Sequence, residues 1–172
     1  MQAEGDIVQF PREAEAPPDF TAFFAEEHRG LFKALYFVTG NRADAQELMQ
    51  EAFLTMWERW DQIDRIDDLT AYLFRVALNG SRMRARAARR AARRLVATDE
   101  SYDPFDEVDL REDVRRMLRA LTPRQRVALV LRDQYGYGSE DAAEIMRIRT
   151  STVRALATQG RAVLRNAGGP HG

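Results

Sequence analysis

The chain has no cysteine, two histidines and a single lysine among 172 residues. Without cysteine there can be neither disulfides nor cysteine-ligated zinc, and His28 and His171 are too few and too far apart in sequence to suggest a metal centre or a catalytic triad. His28 is expected simply to sit on a helix surface. No run approaches the roughly 20 apolar residues of a membrane span. The first 18 residues, MQAEGDIVQFPREAEAPP, are acidic and proline-bearing with no apolar core, so they read as a tail and not as an export signal. A cytoplasmic location is the expectation. Strand-like alternation is also missing, which leaves an all-α fold.

What is present is charge, unevenly placed. The formal net charge is only -1. Yet residues 69–98 hold eight arginines and no acid, so the remainder must carry a net charge of -9. Seven of those arginines fall between Arg82 and Arg94. Such polarisation points to a polyanionic partner for the basic segment and leaves an acidic surface that could meet a basic one. On charge alone, a solvated helix face is an equally good reading.

Helical periodicity divides the chain. Phe20, Phe24, Leu31, Leu35 and Val38 mark a first helix that ends near Gly40 and Asn41. Ala45, Leu48, Met49, Ala52, Phe53, Met56, Trp57 and Trp60 form the apolar stripe of a second, with Asp44, Glu47, Glu51 and Glu58 on the opposite, wet face. DQIDRIDD breaks the pattern as a loop. A third helix restarts near Leu69, burying Tyr72, Leu73, Val76 and Ala77 before it runs into the arginines.

The acidic, proline-containing stretch ATDESYDPFDEVD has the composition of a linker. The expected organisation is a tail over 1–18, a helical domain over 19–96, a flexible acidic linker over 97–110, a second helical domain over 111–166 and a tail over 167–172. With no apolar face in the linker to dock them, the two domains are expected to move independently. In the second, Leu110, Val114, Met117, Leu118 and Leu121 mark a helix, and Thr122, Pro123 and Gln125 compose a capping box with proline at the first helical position. Ser139 is expected to cap EDAAEIM, and a last helix should run from about residue 151 to 165.

The final two helices have helix-turn-helix spacing. Ala143 stands ten positions before Val153, a small residue against a branched one, with Ile145, Ile148, Leu156 and Leu164 available as core. Ser151, Thr152, Arg154, Ala155, Thr158 and Arg161 are left facing outward, where arginines suit phosphates or guanine edges. Arg147 occupies the turn position where glycine is usual, so it must adopt a left-handed conformation or reshape the turn. An ordinary helical hairpin is the competing interpretation.

Three stretches, in order, resemble the extracytoplasmic-function sigma factors of bacterial RNA polymerase: DAQELMQEAFLTMW is similar to region 2.2, LTAYLFRVALN to regions 2.3 and 2.4, and LTPRQRVALVLRDQYGYGSEDAAEIMRIRTSTVR to region 4. The resemblance spans about residues 19–165. It implies a protein that binds core polymerase, recognises promoter minus-10 and minus-35 elements and promotes strand opening. It implies docking of Asp44, Glu47, Gln50 and Glu51 on the clamp coiled coil of the largest polymerase subunit, and of region 4 on the flap of the second-largest. The loop from Asp61 to Asp68, with Ile63, Asp64 and Asp67, matches the segment that captures a flipped base of the non-template minus-10 strand. Tyr72, Arg75, Asn79, Arg82 and Arg86 match the face that holds unpaired DNA, where cations grip phosphates once the duplex opens. Arg149, Ser151, Thr152, Arg154, Ala155, Thr158 and Arg161 correspond to the minus-35 reader. An anti-sigma factor is a further partner to consider, and no cofactor is implied.

The departures are specific. The family tryptophan falls on Tyr72, a usual arginine on Leu78 and a usual aspartate on Met83, so the minus-10 surface is less polar than the family pattern. Leu156, Thr158 and Gln159 replace basic or polar residues near the end, so weak minus-35 reading is expected. A free-standing helix-turn-helix regulator is the alternative function, although it would not need the acidic DAQELMQE face ahead of an arginine helix. An enzyme would need carboxylates or metal ligands converging in a pocket, and the acids here lie along helix surfaces and in the linker.

Overall fold

A computed structural model of the chain describes residues 19–92 and 118–167, the side chains of 64 and 81–92 excepted. The expected tails and the 97–110 linker lie outside these, apart from residue 167, as does most of the helix expected from Leu110. In chain order the structure forms α1 (Phe20–Thr39), α2 (Arg42–Glu58), a 3-10 helix (Trp60–Arg65) and α3 (Leu69–Ala92). A second unit contains α4 (Pro123–Leu129), a π-helical turn (Val130–Gln134), α5 (Ser139–Met146) and α6 (Thr150–Ala167). Among the described residues there is no strand and no helix long and apolar enough to cross a membrane.

The boundaries follow local chemistry. Gly40 closes α1 in the left-handed region (φ 70°), its N–H donating to the Tyr36 carbonyl at 2.8 Å, as glycine after a helix should. Asn41 opens α2, its side-chain oxygen accepting from the Asp44 N–H at 3.0 Å. Asp68 does the same for α3, accepting from the Ala71 N–H at 2.8 Å. The capping box read from the sequence is present: the Gln125 N–H donates to the Thr122 hydroxyl, and the Thr122 N–H donates to the Gln125 side chain at 2.9 Å. Ser139, by contrast, does not cap α5. Gly138 holds that position and Ser139 is already helical.

In the first unit Leu31, Leu35, Leu48, Met56, Leu73 and Phe74 are fully buried where α1, α2 and α3 pack together. Three expectations fail here. Trp57, read as part of the inward stripe, is 58% exposed, because the helix turns it beyond the Ala52–Phe53–Met56 contact face. Phe24 is also exposed, and Phe23 is buried in its place. DQIDRIDD is no open loop either, since its first half is the 3-10 helix, pinned by Ile63 at 2% exposure.

The two units do not stand apart. One hydrophobic core runs through both, with Ala34, Leu35, Val38, Phe74 and Leu78 meeting Val127, Val130 and Leu131 at the seam. Phe74 and Tyr135 meet edge to face at 4.6 Å. Arg126 reaches from α4 to the last carbonyls of α1, Phe37 (3.4 Å) and Val38 (3.3 Å), a favourable place for a cation at a helix C-terminus. Burial depresses its pKa from the ordinary value. Independent domains were expected because the linker lacks an apolar face. The apolar surface that joins them lies on α1, α3, α4 and the π-helical turn.

Candidate nucleic-acid and polymerase interface

The acidic face of α2 is fully presented: Asp44, Glu47, Gln50 and Glu51 are all exposed. The same helix continues this surface with Leu54 and Trp57, each 58% exposed, and Glu58. Trp57 is not loose, since its ring meets Phe20 at 4.9 Å within an aromatic group that includes Phe53 and Trp60. Reading the apolar residues as one inward stripe hid this mixed acidic and aromatic surface. Leu54, an apolar residue outside that stripe, was the available signal.

The expected minus-10 residues fall into three groups. Ile63 is a core residue, buried beneath the 3-10 helix and not on its surface with the others. Asp67 is exposed, while Tyr72, Arg75 and Asn79 are half-buried along α3. The Tyr72 hydroxyl accepts from the Arg59 guanidinium at 3.3 Å. Arg82 and Arg86 continue on the outer half of the same helix, and their side chains, like that of Asp64, are outside the described residues.

This face opens onto a cleft shared with the second unit. Arg65, Asp68, Tyr72 and Arg75 line one wall, and Asp141 and Glu144 of α5 line the other. The Arg75 guanidinium lies 3.9 Å from the Glu144 carboxylate, while its Nε is buried with no hydrogen-bond partner among the described residues. The Tyr137 hydroxyl donates to Asp68 at 3.4 Å. Burial, reinforced by Asp68, pushes the Tyr137 pKa well above its ordinary value and keeps the phenol neutral.

The helix-turn-helix has the expected interior except at Leu164, which is half-buried and outside the core. Ala143 and Val153 are both buried, α5 packs on α6, and Ile145 joins the core while Ile148 and Leu156 line its edge. Arg147 adopts the left-handed conformation (φ 53°, ψ 49°) that the turn demands. At Gly160 a Cβ would lie 3.0 Å from Leu129, which lets α6 approach α4 closely. On the outer side Arg149, Ser151, Arg154, Ala155 and Thr158 are exposed and Thr152 is half-buried. Arg161 is turned back in a two-pronged ion pair with Asp133, one arm at 3.0 Å, and this hydrogen bonding raises its pKa. His28, expected on the surface, is half-buried, stacked on Phe24 with Nδ1 at 2.9 Å from the Phe24 carbonyl.

A helical unit with an exposed acidic face and an arginine helix, followed by a helix-turn-helix, defines a two-part nucleic-acid-binding protein. Residues 23–91 match Sigma-70 region 2 and residues 111–164 match Sigma-70, region 4. The chain belongs to the extracytoplasmic-function sigma factors of the sigma-70 family, with a region 2 and a region 4 domain. It is 29% identical to the ECF RNA polymerase sigma factor SigG of Mycobacterium tuberculosis, covering 85% of this chain and 48% of the relative. With SigJ of the same organism it is 33% identical, covering 76% and 45% respectively. The chain thus spans about half the length of the first of these relatives. The fold is shared with the sigma factor RpoE of Bartonella quintana, solved in complex with the anti-sigma factor NepR, with a TM-score of 0.69, 22% identity and coverage of 87% and 96%.

Proposed function

We propose that this chain binds core RNA polymerase and directs it to promoters, with the first unit docking the enzyme and holding melted minus-10 DNA and the second reading minus-35 DNA. The observation that carries this is the succession, in one chain, of an exposed acidic α2 face, a basic α3 and a helix-turn-helix in the order of regions 2 and 4. Asp44, Glu47, Gln50 and Glu51 meet the basic clamp coiled coil of the largest subunit, with Leu54 and Trp57 adding apolar contact. The second unit meets the flap of the second-largest. Asp64, Asp67, Tyr72, Arg75, Asn79, Arg82 and Arg86 serve the minus-10 strand, over a frame that Ile63 supports from below. Arg149, Ser151, Thr152, Arg154, Ala155 and Thr158 serve the minus-35 groove, with Arg161 contributing only when it leaves Asp133. An anti-sigma factor is a candidate regulator, in line with the NepR complex of the structurally similar RpoE. The work is cytoplasmic, where polymerase and promoter DNA are.

The test is charge reversal. Glu47→Arg with Glu51→Arg places cations against a basic partner, and truncating one side of a close interfacial charge pair already costs about 2–5 kcal/mol. Co-purification with core polymerase should fall at least a hundredfold while helicity is unchanged, since both residues are on the exposed face of α2. Retained binding at moderate salt would remove the docking assignment.

A further inference from the structure

The outer side of α6 carries two arginines in different states. Arg154, Thr158 and Arg161 stand at i, i+4 and i+7, so they share one face of the helix. Arg154 and Thr158 are exposed. Arg161 is half-buried, its Nε donating to one Asp133 carboxylate oxygen at 3.0 Å and its Nη2 donating to the other.

Two local features bring this pair about. Asp133 belongs to the π-helical turn that follows α4, closed where the Tyr135 N–H donates to the Val130 carbonyl at 3.0 Å. That wider turn does not continue the register of α4, and such turns recur at functional positions. Val130 and Leu131 anchor it in the core while Asp133 is exposed. From the other side, Gly160 immediately precedes Arg161, and a Cβ there would lie 3.0 Å from Leu129 and 3.5 Å from Gln125. A residue without a side chain lets α6 lie this close to α4, which carries the Arg161 guanidinium to the carboxylate.

The chemistry of the pair is that of a DNA contact. A planar guanidinium that meets both oxygens of a carboxylate is held in one orientation, unlike an ion pair made through a single contact. A phosphate is a two-pronged acceptor of the same kind, so it competes with Asp133 for the same two N–H arms. The two side chains are 40% and 44% exposed, which leaves the exchange open to solvent and to a polyanion.

We propose that Asp133 is a positioning residue of the minus-35 surface: by occupying both arms of Arg161 it stands in the place of a DNA phosphate and withholds one backbone contact from the helix-turn-helix. This role rests on the minus-35 function proposed for α6 and deepens it. Phosphate contacts add affinity without sequence information, whereas base contacts discriminate. With Arg161 withheld, duplex of any sequence is held less tightly, and stable engagement depends on the base contacts made earlier in α6, around Arg154.

The test uses the full chain and a short dye-labelled duplex of mixed sequence, titrated over a salt series. Asp133→Asn keeps the shape of the side chain and removes its charge, and Asp133→Ala removes the acceptor altogether. Both should tighten binding about three- to tenfold at low salt and steepen the dependence of log affinity on log salt by about one unit, the signature of one added phosphate contact. Arg161→Ala alone should change either quantity little. Combined with Arg161→Ala, the Asp133 substitutions should lose both effects. The salt slope separates this role from a structural brace, whose loss lowers the Tm without recruiting a phosphate. A gain that survives in the Arg161→Ala background would show a general charge effect and overturn the proposal. So would an unchanged or flatter slope in both Asp133 variants, or a loss in Arg161→Ala as large as one phosphate contact. Failure of every form to bind the duplex, the unsubstituted chain included, would instead overturn the minus-35 reading, and the role of Asp133 with it.

Discussion

The two working surfaces of the first unit are built on adjacent helices and left in opposite states. On α2, Asp44, Glu47, Gln50, Glu51, Leu54 and Trp57 are all open to solvent. On α3, Tyr72, Arg75 and Asn79 are half-buried, and a wall carrying Asp141 and Glu144 stands opposite the first two. On the function proposed above, polymerase meets the more open of the two surfaces. The difference lies in packing and not in residue chemistry: the outer face of α2 is exposed, whereas α3 shares its apolar side with both α2 and α5.

The comparison can be broken most severely at Trp57. If α2 is a docking surface, an exposed tryptophan held in place by Phe20 is its natural anchor, because truncating such aromatics commonly costs about 2 kcal/mol or more. Trp57→Ala should weaken polymerase binding about thirtyfold and change thermal stability little. A large loss of stability with normal polymerase binding would show that the ring serves the fold.

The next effect separates the two DNA surfaces. Arg82→Ala with Arg86→Ala should lower single-strand affinity about three- to tenfold and flatten the salt dependence by about one to two units, as losing two phosphate contacts does. Arg154→Ala with Arg161→Ala should act only on templates with an intact minus-35 element, and mainly through Arg154, since Arg161 is committed to Asp133. Run-off transcription over a salt series, with the minus-35 sequence intact or scrambled, distinguishes them. Greater damage from the second pair on both templates would reverse the ranking.

The smallest effect concerns the helix-turn-helix. Arg147 bears the strain of a left-handed backbone, worth roughly 1–2 kcal/mol for a residue with a Cβ, and Arg147→Gly removes it. Stability of the second unit should rise by about 1 kcal/mol, read as a higher Tm, with minus-35 preference unchanged. A lower Tm would mean that the arginine side chain contributes more than its conformation costs.

Much of this was legible in the sequence. Caps are local, so Gly40, Asn41 and the Thr122–Gln125 box could be read directly, as could the ten-residue spacing of Ala143 and Val153. The demand on Arg147 followed from the turn alone. Trp57 was misplaced because periodicity marks apolar residues without saying which edge of a stripe faces out. The docking of the two units was missed for a related reason: Val38, Phe74 and Val127 each look like the core of their own unit, and nothing local shows that they pack on one another. The close approach of Tyr135 to Gly30, where a Cβ would lie 2.7 Å from the tyrosine hydroxyl, had no signal at all, since the two are more than a hundred positions apart.

The most direct measurement is the affinity for core polymerase with one surface altered at a time: Glu47→Arg with Glu51→Arg on α2, against Arg82→Ala with Arg86→Ala on α3. The account predicts that the α2 reversal lowers polymerase binding at least a hundredfold, whereas the α3 pair leaves it within about threefold and weakens DNA binding instead. Equal loss of polymerase binding in the two variants would contradict it, because the two faces would then not divide the work.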